Sequence, residues 1–229
     1  MSKLTTLATT ERPTSTSVGT SAGLIATGIT KSYRRGIWPR RREVPVLRGA
    51  DLTVGTGQVV GLVGENGSGK STLMKILVGA LSADAGTVEV SGRIGYCPQE
   101  PVLYERLTCD EHLELFGVAY GLDEQAVNDA ADALYSTLGF DRWRKSQVAE
   151  LSGGTRAKLN LAIALLADPE VLLLDEPYAG FDLDTYLRFW DLTAERRASG
   201  RSVVVISHFV ADQERFDRIV QLRDGRTMQ

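Results

Sequence analysis

The apolar residues of this chain follow two periods. Short apolar runs bounded by glycine or charged turns occupy 24–29, 46–54 and 59–63, and they predict strands that open the fold as an antiparallel element leading into the core. The runs at 171–174 and 203–206 are continuously apolar, the pattern of strands covered on both faces of a parallel sheet. Between them the period changes. Val127, Ala130, Ala131, Leu134, Tyr135 and Leu138 recur at intervals of three and four, which lays one apolar stripe along a helix within a mainly helical stretch from about 109 to 139. Strands alternating with helices on both sides of that stretch predict a mostly parallel α/β sheet with the stretch as a separate lobe.

Composition bounds this picture. The chain has 229 residues, 43% of them hydrophobic, enough for one compact α/β core with a small helical lobe. Residues 1–22 hold eleven Ser or Thr and no apolar period, so they read as a disordered tail. The remainder divides into a core of about 23–98 and 150–229 and a lobe of about 100–149. A net charge of -3 gives no general attraction to nucleic acid, and no nucleic-acid partner is expected. Cys97 and Cys109 lack the spacing of a disulfide framework or zinc site and read as reduced thiols. No apolar run reaches the ~18 residues that span a bilayer, so work at a membrane requires an anchor elsewhere.

The chemistry begins after the strand that ends at Val63. Gly64, Glu65, Asn66, Gly67, Ser68, Gly69, Lys70, Ser71 and Thr72 fit GxxxxGK[ST], followed by the helical-looking segment LMKILVGAL. Glycines at these positions let successive N–H groups turn inward, and the following helix adds its positive dipole end, which makes a cradle for polyphosphate. Lys70 supplies a mobile charge for the β- and γ-phosphates, and the Ser71 hydroxyl is placed to ligate Mg²⁺. The loop predicts a P-loop NTPase core that binds a nucleoside triphosphate. Kinases and GTPases use the same loop, so it leaves the enzyme class open. At the end of the buried run 171–174 stand Asp175 and Glu176, where open α/β sheets present their ligands. Asp175 is the expected partner of Mg²⁺, through water, and Glu176 the residue that orients and polarises the attacking water.

Ahead of these carboxylates lies Leu151-Ser152-Gly153-Gly154-Thr155, opening a segment, TRAKLNLAIALLADP, that reads as a largely buried helix. Here the chain closely resembles the ABC (ATP-binding cassette) ATPase family, whose signature LSGGQ it matches except at Thr155. The likeness runs from about residue 24 to 224, with the family's motifs in the family's order. YAGFD resembles the D-loop and ends in Asp182; His208 matches the H-loop histidine; Gln99, in GYCPQE, matches the Q-loop glutamine; and Tyr33, in KSYRRG, takes the place of the adenine-stacking aromatic.

The resemblance implies ATP and Mg²⁺ as cofactors and two cassettes packed head to tail, with identical or different chains. Ser152, Gly153 and Gly154 of one subunit would complete the γ-phosphate site of the other, Asp182 would tie the halves together, and His208 would hold the γ-phosphate and the attacking water. Gln99 is implied both near the metal and at the junction with a membrane subunit. Ile163 stands where many members carry arginine, and with Thr155 it puts rate and interface strength in question. The stretches around Gln99 and 107–122 are similar to ATPase subunits of bacterial exporters. That likeness implies an integral membrane partner, peripheral attachment at the cytoplasmic face of the cell membrane, and a docking surface at Leu103, Tyr104 and Leu107. Arg34, Arg35, Arg40, Arg41 and Arg42, around Trp38 and Pro39, lengthen a loop that reads as solvated, with anionic lipid as the other reading. The alternative function is a soluble, non-transport ABC ATPase acting on a macromolecular partner. A small-molecule kinase sharing only the phosphate loop leaves LSGGT and His208 unexplained.

Overall fold

The computed structural model describes residues 22–36, 42–207 and 210–228. The tail expected over 1–22 therefore lies outside the described residues except for Ala22, the first residue of strand β1 (Ala22–Arg35). β1 pairs antiparallel with β2 (Arg42–Gly55) and with β4 (Ala85–Val90), giving a three-stranded sheet in the order β2-β1-β4. Both opening strands run well past their apolar cores, because their outer ends pair with each other: Tyr33 lies opposite Val44 and Arg35 opposite Arg42. Trp38, Pro39, Arg40 and Arg41 lie outside the described residues, so no contact is assigned to that basic cluster.

The second sheet has six strands in the order β5-β6-β7-β3-β8-β9. β5 (Ile94–Cys97), β6 (Val171–Asp175), β7 (Ser202–Ile206), β3 (Val59–Val63) and β8 (Arg218–Arg223) run parallel, and β9 (Arg226–Met228) closes the edge antiparallel to β8. The β8–β9 turn uses Asp224 and Gly225, both at positive φ (50° and 76°), as a tight two-residue hairpin requires.

Continuous apolarity in β6 and β7 resolves into alternation once packing is visible. Leu172, Leu174, Val203 and Val205 enter the core shared with the helices, whereas Val171, Leu173, Val204 and Ile206 enter a second core shared with β1, β2 and helix α1 (Lys70–Leu77). Both faces are covered, which is why 171–174 and 203–206 are apolar throughout, with the polar Asp175 and Ser202 only at the strand ends. α1 is shorter than the segment LMKILVGAL suggests. It ends at Leu77, and Gly79 turns the chain at φ 79°.

The helical stretch holds α2 (Cys109–Ala119) and α3 (Glu124–Leu138). α3 buries Val127, Ala131, Leu134, Tyr135 and Leu138, the stripe read from periodicity, with Ala130 half-buried at its edge. α2 starts in a reciprocal capping box: the Thr108 hydroxyl accepts from Glu111 N–H, and the Glu111 carboxylate accepts from Thr108 N–H at 2.7 Å. Two further helices complete the core, α4 (Gly153–Leu165) and α5 (Leu183–Ala198). Cys97 and Cys109 are free thiols, both buried; burial pushes Cys109 up to about 11 and Cys97 higher still, so both stay protonated and inert.

Candidate functional site

The loop 64–69 connects β3 to α1 in the strand–loop–helix context its sequence demands. Gly67 and Gly69 sit at φ 81° and 108°, and Gly69 is the residue before the first helical turn of α1. Lys70 is buried, and its Nζ donates to two carbonyls of its own loop, Gly64 O at 2.8 Å and Glu65 O at 3.0 Å. Desolvation lowers its pKa, with Glu176 and Asp175 opposing. The ammonium is thus held on the loop by neutral acceptors and remains available to a phosphate. Ser68 Oγ is buried without a hydrogen-bond partner, a donor aimed into the loop. Asn66, Gly67 and Ser68 line a cleft of about 710 Å³, whose other wall is Val44–Val46 and Arg48 of β2 and residues 221–225 of the β8–β9 hairpin. Ser71 and Thr72 are half-buried in the first turn of α1.

The two carboxylates differ sharply. Asp175 ends β6 at 2% exposure; it accepts a hydrogen bond from the Ser71 side chain, but its Oδ1 finds no partner. Burial raises its pKa, and the neighbouring Glu176 adds to the rise. A desolvated carboxylate with a free oxygen beside a serine hydroxyl is a donor set that suits a hard, oxygen-seeking divalent cation, so Ser71 and Asp175 fit Mg²⁺. Glu176 is half-buried and adopts φ 51°, a left-handed conformation costing a non-glycine residue on the order of 1–3 kcal/mol. Its backbone N–H donates to Ile206 O of β7, and Gln99 Nε2 donates to its Oε2 at 3.0 Å. Gln99 lies two residues beyond the end of β5, and β5 pairs with β6, so strand register brings the glutamine to the carboxylate.

This geometry yields a pH-dependent prediction. A carboxyl whose pKa is raised in the folded state is bound to a proton more readily there, so its charged form opposes folding at neutral pH, and the penalty fades as pH falls through the raised value. Asp175→Asn is expected to raise the thermal midpoint at pH 7, to narrow that gap on acidification, and to lose Mg²⁺-dependent hydrolysis. Melting curves at a series of pH values without nucleotide check it; a variant less stable than the wild type at pH 7 contradicts the assignment.

The signature segment is built as a helix start. Ser152 caps α4: its Oγ accepts from Thr155 N–H at 3.3 Å and lies 3.0 Å from Thr155 Oγ1. Thr155, the departure from the family sequence, is buried and uses its hydroxyl on the cap, which explains how a short β-branched side chain is accommodated there. Ile163 is buried in the helical core, a position that suits an aliphatic side chain. The two glycines have different surroundings. A side chain at Gly153 would meet nothing within 4 Å, whereas a Cβ at Gly154 would stand 2.5 Å from Gly180 O in the YAGFD turn. Asp182 ends that turn and caps α5, its Oδ1 accepting from Thr185 N–H at 2.8 Å; hydrogen bonds from Thr185 lower its pKa. Tyr178 anchors the turn edge-on to Tyr186 and Phe189, with centroids 5.5 and 5.4 Å away.

Lys70, Ser71, Asp175, Glu176 and Gln99 are therefore brought together, whereas Ser152, Gly154 and Asp182 line a separate pocket, with Gly153 exposed at the start of α4 and outside its lining. Tyr33 stands opposite Val44, which lines the cleft, but is not itself in the lining. His208 lies outside the described residues. The docking trio needs correction: Leu103 packs against the core and Leu107 is half-buried, so only Tyr104 is well exposed, at 57%, together with Val102 at 76%. The sequence reading missed the hairpin wall of the cleft, although the Asp-Gly pair at 224–225 signals it.

Comparison with known proteins agrees with this geometry. The family model described as ABC transporter matches residues 47–179. The Nod factor export ATP-binding protein I of Burkholderia lata is 34% identical over 84% of this chain and 67% of its own length. The ABC-type transporter ATP-binding protein EcsA of Bacillus subtilis is 32% identical over 79% of this chain and 78% of its own. A solved structure of an ATP binding subunit of an ABC transporter superposes with a TM-score of 0.79 at 27% identity, covering 90% of this chain and 88% of that one. A dimeric bacterial ABC transporter cassette shares the fold with a TM-score of 0.82 at 24% identity, over 90% and 97% of the two chains. Among the described residues no helix is long and apolar enough to cross a membrane. With a phosphate loop, a carboxylate pair and a capped signature helix set in this sheet, the chain belongs to the ABC transporter family, as an ATP-binding subunit of its ATPase class.

Proposed function

We propose that this chain is the motor of an ABC exporter: it binds Mg·ATP at the β3–α1 loop, pairs with a second cassette, and drives a separate integral membrane subunit. The observation that carries the reading is the contact of Gln99 Nε2 with Glu176 Oε2, because it puts the base and a movable neutral amide at one point beyond the end of β6. In this reading the N–H groups of loop 64–72, with the Ser68 hydroxyl, wrap the phosphates, and Lys70 shifts its ammonium from the Gly64 and Glu65 carbonyls to the β- and γ-phosphates. Ser71 and Asp175 hold Mg²⁺, which supplies positive charge to the transferring phosphoryl oxygens when bound. Glu176 accepts a proton from the attacking water, and Gln99 orients that carboxylate. His208 holds the γ-phosphate. Tyr33, beside the cleft wall, stacks on adenine.

Ser152 and Gly153 are exposed at the N-terminus of α4, where the helix dipole favours an anion, which supports a partner's γ-phosphate as their ligand. ATP then closes the dimer, and hydrolysis opens it by removing the bridging charge. The helical lobe of about 100–149, with Val102 and Tyr104 exposed beside Gln99, passes that motion to the membrane subunit at the cytoplasmic face. Export is the direction we assign because the Burkholderia relative is described as an export protein.

The test is mass-spectrometric identification of what co-purifies from detergent-solubilised membranes with a Glu176→Gln variant held in ATP. A polytopic membrane protein in stoichiometric amount is expected. Recovery of ribosomal proteins, nucleic acid or soluble scaffolds alone instead assigns the chain to the non-transport branch of the family.

A further inference from the structure

Helix α4 buries a continuous run from Leu159 to Leu165, and every member is apolar except Asn160, 7% exposed. Asparagine is a poor helix former, and a buried amide costs free energy unless it is hydrogen-bonded, so its presence in this run needs a partner. The structure supplies one across the core. Asn160 Nδ2 donates to Pro98 O at 2.8 Å and lies 3.2 Å from Cys97 Sγ.

The position of that acceptor matters. Pro98 O belongs to the same planar peptide unit as the backbone nitrogen of Gln99, and the proline ring fixes φ on the other side. Fixing the carbonyl therefore fixes the plane from which Gln99 departs, and Gln99 Nε2 in turn donates to Glu176 Oε2 at 3.0 Å. Gly95, on the same strand as Cys97, lets α4 come this close: a Cβ there would stand 2.1 Å from Ala164 O. Asn160 is itself eight residues into a helix that starts at the Ser152 cap, roughly 12 Å along its axis.

We propose that Asn160 is a positioning residue: through Pro98 it sets the orientation of Gln99 toward Glu176, and it ties that orientation to the placement of the helix whose N-terminus carries Ser152, Gly153 and Gly154. The proposal rests on the role assigned to Gln99 and Glu176 above. It couples the two groups of site residues within one chain by a hydrogen bond between side chain and backbone, without contact to nucleotide.

A double-mutant cycle on ATP hydrolysis by the full chain tests it, with nucleotide affinity read separately from a fluorescent ATP analogue. Asn160→Ala is expected to lower kcat about tenfold, roughly 1.4 kcal/mol in the barrier, while KM and analogue affinity stay within about twofold. In a Gln99→Ala background the same substitution is expected to change kcat less than about twofold, because the group it acts through is gone. Equal losses in both backgrounds, or a loss confined to KM, overturn the proposal and leave the assigned site intact. A Gln99→Ala variant with wild-type kcat overturns the role of Gln99 itself, and the proposal with it. If Asn160→Ala does not fold, Asn160→Ser keeps a small polar group in the helix but is too short to reach Pro98, and the same cycle is run with it.

Discussion

Glu176→Gln is expected to bind ATP with near-native affinity and to hydrolyse it about 100-fold more slowly or worse, accumulating as an ATP-held dimer. The substitution is close to isosteric, and the amide oxygen of glutamine still accepts from Gln99 Nε2, so the local geometry survives while the basic carboxylate is lost. Removing the charge also removes one of the two carboxylates that oppose desolvation of Lys70, a change that leaves the phosphate loop's N–H groups untouched. Single-turnover hydrolysis with size-exclusion chromatography in ATP reads both parts. A variant that stays monomeric in ATP and turns over at the wild-type rate would remove the basis for the two-cassette mechanism.

The second large effect is expected at the phosphate loop. Lys70→Ala should weaken ATP binding roughly 10- to 100-fold, the range for losing a charge-assisted contact to phosphate in a partly desolvated site. The residue is 6% exposed and its two acceptors are backbone carbonyls, so the substitution also takes the lysine donor from Gly64 O and leaves Glu65 O with the Ser68 N–H as its donor. A Lys70→Met variant separates the effects, since it refills the buried volume without restoring the charge. Both variants should lose affinity by isothermal titration, and the alanine variant, which also empties buried volume, should melt lower than the methionine variant. Normal ATP affinity in Lys70→Met contradicts the assigned role.

The sequence announced the parts of this molecule that are set locally. The phosphate loop is legible because glycine, lysine and serine spacing is itself the geometry, and the continuously apolar 171–174 and 203–206 are legible because both faces of those strands are covered. β4, whose residues are largely solvent-exposed, and β9, three residues long, carry too little apolar pattern to be read. Tertiary placement was harder. Nothing in KSYRRG indicates that Tyr33 stops beside the cleft wall, because that depends on how far the outer ends of β1 and β2 pair. Leu103 looked like surface from its neighbours, but the chain turns it into the helical core. Asn160 was invisible for the same reason: its partner is 62 residues away, and only the meeting of β5 with α4 reveals it.

The unequal glycines at 153 and 154 carry a consequence for how this surface can change over time. Gly153 has room for a methyl group, but Gly154 is wedged against the Gly180 carbonyl, and two residues beyond Gly180 the chain caps α5 through Asp182. Adding bulk at 154 therefore tilts the turn that carries Asp182, and any insertion in that turn lifts the start of α4. The two segments form a single ridge with one shared hinge point, so neither can drift in sequence independently of the other. A lineage that retunes how tightly two cassettes grip is then confined to the edges of the ridge, positions such as 153, where a new side chain faces outward and disturbs nothing behind it.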